Sequence, residues 1–145
     1  MTGTVLVLGA TGSTGSAVID GLRGRGLAVR TATRAAAAPT SYEHVRFDWS
    51  DPATHPVALD GVERIYLVAP VGVADPIGIV GPFLERARIG GVRRVVVLSS
   101  SAVQTGDPGL GEVAAAVRDS LPEWEILRPS WFMQNFVGNH PIADS

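Results

Sequence analysis

The sequence predicts a doubly wound α/β domain, an open and mainly parallel sheet with helices on both faces. Three observations carry that expectation. Short β-branched runs alternate with longer helical patterns along the chain, as in a layered α/β domain. The run Val95-Val96-Val97-Leu98 is continuously apolar, which suits a parallel strand covered on both faces. A glycine cluster from Gly9 to Gly15 stands between the first apolar run and the first helical pattern.

Strands are expected at Thr4 to Leu8, Ala28 to Thr33, His44 to Phe47, Arg64 to Val68, Arg94 to Ser99 and Trp124 to Leu127. Right-handed crossovers then favour the order 3-2-1-4-5-6. Val18, Ile19 and Leu22 share one face of a first helix, which Gly24 or Gly26 can end. Asp75-Pro76 reads as an N-cap with proline at the first helical position. The helix behind it keeps Ile77, Val80, Leu84 and Ala87 in register and closes at Gly90-Gly91. Pro82 sits in its middle and predicts a kink there or a late start. Ala35 to Ala38 followed by Pro39 reads as a surface loop. No repeat, heptad series or composition shift marks a second domain, so residues 1–145 are expected to form one.

Composition excludes whole classes of chemistry. Without cysteine there are no disulfides, thiolate metal sites, iron-sulfur clusters or thiol nucleophiles. All 12 basic residues are arginine, so Schiff-base lysines, P-loop lysines and any Tyr/Lys proton relay are absent. Only Tyr42 and Tyr66 remain as phenolic acids. A net charge of -2 gives no electrostatic reason to expect nucleic-acid or membrane-surface binding. No apolar run nears the ~20 residues that span a bilayer, and Val5 to Leu8 lacks the basic lead of a signal peptide. A soluble, cytoplasmic protein is the expectation.

The sharpest chemical signal is Gly9-Ala10-Thr11-Gly12-Ser13-Thr14-Gly15, after the first strand and opening the first helix. There the glycines give a tight turn at Gly9, backbone approach to a diphosphate at Gly12 and close helix packing at Gly15. Exposed N–H groups and the positive helix end favour an anion. A dinucleotide site is therefore expected. An NAD site usually carries an acidic residue about 20 positions on, for the ribose 2′-hydroxyl. No acidic residue lies between Asp20 and Glu43, and the second strand ends in Thr33-Arg34. A guanidinium there suits a 2′-phosphate, which favours NADP(H) over NAD(H); the plainer reading of Arg34 is a solvated charge. Two readings of Asp48, beside Trp49, stay open: it accepts the adenine amino group, or it caps the turn Asp48 to Pro52. Val68-Ala69-Pro70 ends the fourth strand, and Gly72 and Gly78 form a loop near the nicotinamide or a plain connection. His44, His55 and His140 lack metal spacing and read as surface or turn residues, and no metal site is expected. Glu123 and Glu125 alternate at strand spacing and read as solvent-exposed.

At this point the residues resemble a family: the NmrA-like members of the atypical short-chain dehydrogenase/reductase superfamily, with a Rossmann-type, NAD(P)-binding fold. Carrying the likeness are Gly9 to Gly15, Thr33-Arg34, the stretch Gly91 to Ser100, and Leu127-Arg128-Pro129-Ser130-Trp131-Phe132-Met133-Gln134-Asn135-Phe136. It runs from about residue 4 to 136. Members include NAD(P)H-dependent quinone, azo-dye, triphenylmethane-type and ergot-alkaloid-type reductases, and NmrA itself, a dinucleotide-sensing regulator. The resemblance thus implies the cofactor more firmly than the reaction. It implies an NADPH-dependent oxidoreductase for a small carbonyl, quinone or related acceptor; alternatively, a non-enzymatic sensor that docks a protein partner, or an inactive fragment.

Two departures matter. The superfamily's Tyr-x-x-x-Lys pair cannot exist here, and the helix that should hold it reads Gly109 to Arg118 without either residue. A proton would then come from Ser100, Ser101 or water. Family members also continue well past the Asn-Phe motif with a substrate-facing lobe, so the chain is expected to represent about the N-terminal half. Trp131, Met133 and Asn135 are expected on the substrate side, with Phe132 and Phe136 packing under the sheet edge. Exposed, these apolar residues would promote homo-oligomers.

Overall fold

The computed structural model describes residues 3–10, 13–22, 25–35, 42–70, 72–100 and 102–128. Six strands form one sheet: β1 (Thr4–Leu8), β2 (Ala28–Thr33), β3 (Glu43–Arg46), β4 (Val62–Leu67), β5 (Arg94–Leu98) and β6 (Glu123–Leu127). All neighbours pair in parallel in the order β3-β2-β1-β4-β5-β6, as the alternating pattern predicts. Strand ends move by one or two residues from the expected ones, most at β4, which begins at Val62 rather than Arg64.

The helices are α1 (Ser13–Leu22), α2 (His55–Leu59), α3 (Ile77–Ile89) and α4 (Leu110–Ser120), with a short 3-10 turn over Pro52–Thr54. Strand pleating sends alternate residues of β1 to opposite faces. Leu6 and Leu8 join Ile65, Leu67, Val95 and Val97 beneath α2, α3 and α4. Val5 and Val7 join Val29 and Tyr66 beneath Ile19 of α1. The predicted two-faced cover is present.

Three local expectations need correction. Asp75 makes no capping bond; Pro76 is the N-cap of α3, and its carbonyl accepts from the N–H groups of Ile79 and Val80. Of the two alternatives at Pro82, the late start does not occur: α3 runs from Ile77 with Pro82 inside it on the exposed side, where water can reach the carbonyl that proline leaves unpaired. His55 is not a surface residue: it is 5% exposed. Gly90-Gly91 do close α3, with Gly91 at φ 100.

The short α2 owes its place to Arg30, a buried cation in β2. Its Nη1 donates to the carbonyls of Ala58 at 2.8 Å and Asp60 at 2.7 Å, satisfying groups a helix end leaves orphaned. Its Nε faces Glu43 Oε1 at 3.2 Å, an ion pair off the in-line hydrogen-bond direction.

Candidate dinucleotide site

Every parallel strand delivers its C-terminal end to one edge of the sheet, where ligands of such folds bind. At the centre β1 ends and the chain turns at Gly9, whose φ of 61 is costly for any residue with a Cβ. Ala10 then ties the turn to β2 through its N–H and the Ala32 carbonyl at 3.5 Å, and Ser16 Oγ donates to the Ala10 carbonyl at 3.3 Å. Gly15, in the first turn of α1, packs directly on this turn: a Cβ there would be driven into the Gly9 carbonyl oxygen. The third glycine therefore serves close packing. Thr11 and Gly12 lie outside the described residues; Ser13 and Thr14 are described only in their backbone, which is helical.

Next along the edge come Thr33, half-buried, and Arg34, exposed. Beyond β3 lie buried Phe47, then Asp48, Trp49 and Ser50. The Asp48 carboxylate caps its own turn, Oδ1 accepting from Ser50 N at 2.9 Å and from Ser50 Oγ at 2.7 Å. These bonds, the hydroxyl's first, hold its pKa below the ordinary 3.8, with the Arg46 and Arg34 charges adding to the same direction against a desolvation that raises it. The group is thus ionised, an acceptor only. A depressed folded value means that its contribution is present above the unfolded value and is lost as pH falls through the folded one. Ser50→Ala is expected to move the Asp48 carboxyl back up toward 3.8, read by carbon NMR of the carboxyl during an acid titration; an unchanged midpoint would show that the backbone N–H and the arginines suffice.

Trp49 bridges two loops, its Nε1 donating to the Val68 carbonyl at 3.0 Å. Its ring meets Phe47 edge-on at 4.9 Å and Phe83 at 4.9 Å, while His55 stacks on Phe47 at 4.8 Å. His55 Nε2 donates to the Asp48 carbonyl at 3.1 Å. Above this aromatic floor lies a cavity of about 590 Å³. Among the residues singled out by sequence, Gly9, Thr33, Arg34, Asp48, Trp49, Val68, Ala69 and Pro70 line it together. That volume lies within the roughly 300–1,000 Å³ of small-molecule and cofactor sites.

Other candidates fall elsewhere. Ser100, at the end of β5, does not line the cavity, and its Oγ accepts from Ala102 N at 3.1 Å. Ser101, Trp131, Met133 and Asn135, with Phe132 and Phe136, lie outside the described residues. Sequence reasoning missed Leu8, Ala32, Phe47, Ser50, Val73 and Ile79, which also line the cavity. Leu8 and Phe47 could have been found as the positions at which β1 and β3 reach the C-terminal edge; Val73 and Ile79 arrive from α3 and its approach with no local signal. Glu123 and Glu125 are exposed, as expected. Among the described residues no group of three His, Asp or Glu is placed to hold a metal ion, and no helix is long and apolar enough to cross a membrane.

A family model described as NAD(P)H-binding matches residues 9–142. The chain belongs to this NAD(P)H-binding family. The match begins at the first glycine of the fingerprint and takes in the Leu127 to Phe136 stretch, so the NmrA-like, atypical short-chain reductase resemblance holds. An uncharacterized oxidoreductase of Bacillus subtilis, YesF, is 45% identical over 133 residues, covering 92% of this chain and 46% of the relative. Agroclavine dehydrogenase of Claviceps purpurea is 34% identical over 140 residues, covering 92% of this chain and 48% of the relative. The NAD(P)H-binding chain thus spans about half the length of these relatives. Among solved structures, a Citrobacter sp. triphenylmethane reductase complexed with NADP(H) shares the fold, with a TM-score of 0.73 at 20% identity over 92% of this chain and 51% of that one.

Proposed function

We propose that the chain binds NADP(H) in preference to NAD(H) and serves an oxidoreductase that reduces a small carbonyl, quinone or related acceptor. What carries the reading is the single cavity that joins the Gly9 turn, Arg34 and Asp48, three positions with distinct tasks toward one dinucleotide. The fit rests on the chain itself: the Gly9 turn, against which α1 packs closely at Gly15, lines the same cavity as Arg34.

Gly9, Gly12 and Gly15, with Thr11, Ser13 and Thr14, hold the diphosphate. Arg34 pairs with the 2′-phosphate beside Thr33, and Asp48 and Trp49 form the adenine side. Val68, Ala69 and Pro70 border the nicotinamide, which supplies a hydride when bound. The apolar wall excludes water and fixes orientation, so rate enhancement rests on positioning rather than on a strong acid. Ser100 or Ser101 donates the proton at its hydroxyl, or water does; with Ser100 Oγ accepting from Ala102 N, its own hydrogen is left to give. Trp131, Met133 and Asn135 face the acceptor. The names of the two curated relatives, an oxidoreductase and a dehydrogenase, favour this class.

Titration of the protein with NADPH and NADH, followed by tryptophan fluorescence, tests the cofactor. Arg34→Ala is expected to weaken NADPH about 10- to 100-fold, the worth of a charge-assisted pair, and to leave NADH within about twofold. Equal losses for both would overturn the assignment of Arg34. A second reading, a dinucleotide sensor without turnover, is favoured by α4, which holds neither tyrosine nor lysine. NADPH oxidation with a panel of quinones separates the two: turnover rejects the sensor, and tight binding with no oxidation rejects the reductase.

A further inference from the structure

Arg34 makes no hydrogen bond or ion pair among the described residues; its charge acts on the Asp48 carboxylate only at longer range, which leaves its guanidinium without a directional partner. Its position relative to the cavity is set by the backbone of Thr33-Arg34-Ala35. At the start of the turn the Thr33 carbonyl accepts from Phe47 N at 2.7 Å; beyond Arg34, three contacts hold Ala35. Two are local: Thr33 Oγ1 accepts from Ala35 N at 3.2 Å and lies 3.4 Å from the Ala35 carbonyl. Contacts within the turn move with it and cannot fix it against the sheet. The third comes from the neighbouring strand. His44 Nε2 lies 2.9 Å from the Ala35 carbonyl, and since a carbonyl only accepts, Nε2 carries the hydrogen.

The ring is itself held. In the β2–β3 register His44 stands across from Thr31, whose Oγ1 approaches Nδ1 at 2.8 Å. Thr31 is fully buried, so its hydroxyl is a fixed post. Nε2 also has Thr33 Oγ1 at 3.3 Å, which places the imidazole between both threonines and the turn. The chain of contacts runs from buried Thr31 through His44 to Ala35, one residue beyond the arginine.

We infer that His44, which does not line the cavity, is a specificity-determining positioning residue: by clamping the Ala35 carbonyl to β3 it fixes the backbone from which Arg34 meets a 2′-phosphate. This rests on the NADP(H) reading above. A bidentate guanidinium–phosphate pair is directional, so a turn that drifts loses the pair before it loses any contact that NADH shares. His44 therefore acts on the preference between the cofactors rather than on dinucleotide binding as such.

The test measures dissociation constants for NADPH and NADH on the full chain and its variants, with melting temperatures alongside. His44→Leu removes the donor and is expected to weaken NADPH about 3- to 10-fold, the worth of a neutral hydrogen bond, with NADH within about twofold. His44→Gln returns an amide donor near the Nε2 position and is expected to restore most of the preference. Thr31→Val removes the post behind Nδ1 and gives a smaller change in the same direction, which keeps the test available if His44→Leu does not fold. Equal weakening of both cofactors, or no weakening of either, in a folded His44→Leu overturns the inference. If Arg34→Ala collapses the preference while His44→Leu and Thr31→Val leave it intact, the inference alone fails. If Arg34→Ala leaves the preference unchanged, the NADP(H) reading fails and takes the inference with it.

Discussion

Gly15→Ala is expected to lower the melting temperature by about 3–6 °C and to weaken dinucleotide binding at least tenfold. The added methyl would be forced into the Gly9 carbonyl oxygen and would stand 2.9 Å from its carbon and 3.0 Å from Ala10 Cα. These are backbone atoms, which cannot rotate away. Overpacking of this kind costs about 1–3 kcal/mol, and the helix propensity gained on replacing glycine by alanine recovers no more than about 1. The net of about 1–2 kcal/mol corresponds to roughly 3–6 °C for a domain of this size. Relief comes only by moving α1 off the Gly9 turn, which parts the two halves of the proposed phosphate cradle. Gly21→Ala is the control: it lies in the same helix with nothing within 4 Å of the new methyl. There the substitution is expected to raise stability by about 0.5–1 kcal/mol. Thermal unfolding of the two variants, read together, decides the matter; equal behaviour would mean that the helix already has slack at Gly15.

Phe83→Ala should be costlier still, about 3–5 kcal/mol, as for other buried aromatics. Phe83 is fully buried in α3 and supports three rings at once, Phe47 at 5.5 Å, Trp49 at 4.9 Å and His55 at 5.5 Å. Removing it takes the floor from under the cavity. Equilibrium denaturation would report the loss, and Trp49 emission would report its location, since the indole is half-buried against that ring. Phe83→Leu keeps most of the volume but not the ring edges, so it should recover much of the stability. A loss below about 1 kcal/mol for Phe83→Ala would show that the cluster collapses to refill the space.

The strands were legible in the sequence because a buried parallel sheet leaves its apolar period in every strand, and the order followed from handedness. The cavity residues were legible for a related reason: parallel strands bring their C-terminal ends together whatever the side chains are, so Gly9, Arg34, Asp48 and Val68 had to meet near one edge. What stayed hidden depends on distant partners. The five-residue α2 is too short for a periodic signal and is held by Arg30, 28 residues away from Ala58. Burial of His55 needs rings from β3's end and α3, and the reach of His44 to Ala35 needs the β2–β3 register. The Asp75-Pro76 pair misled because Pro76, not Asp75, turned out to stand at the cap.

The parallel arrangement also leaves the opposite rim of the sheet without any part in the cavity. There Arg93 pairs with Glu123 at 3.6 Å, donates its N–H to the Glu63 carbonyl at 2.9 Å and accepts from Glu123 N at 3.1 Å. At about 3.3 Å per residue, the five residues of β5 put that rim roughly 16 Å from the cavity edge. It is the natural place for a tether: a fluorophore, an affinity handle or an electrode linker attached through an engineered cysteine at Glu63 would face away from the bound dinucleotide, and in a chain with no thiol of its own the attachment would be unique.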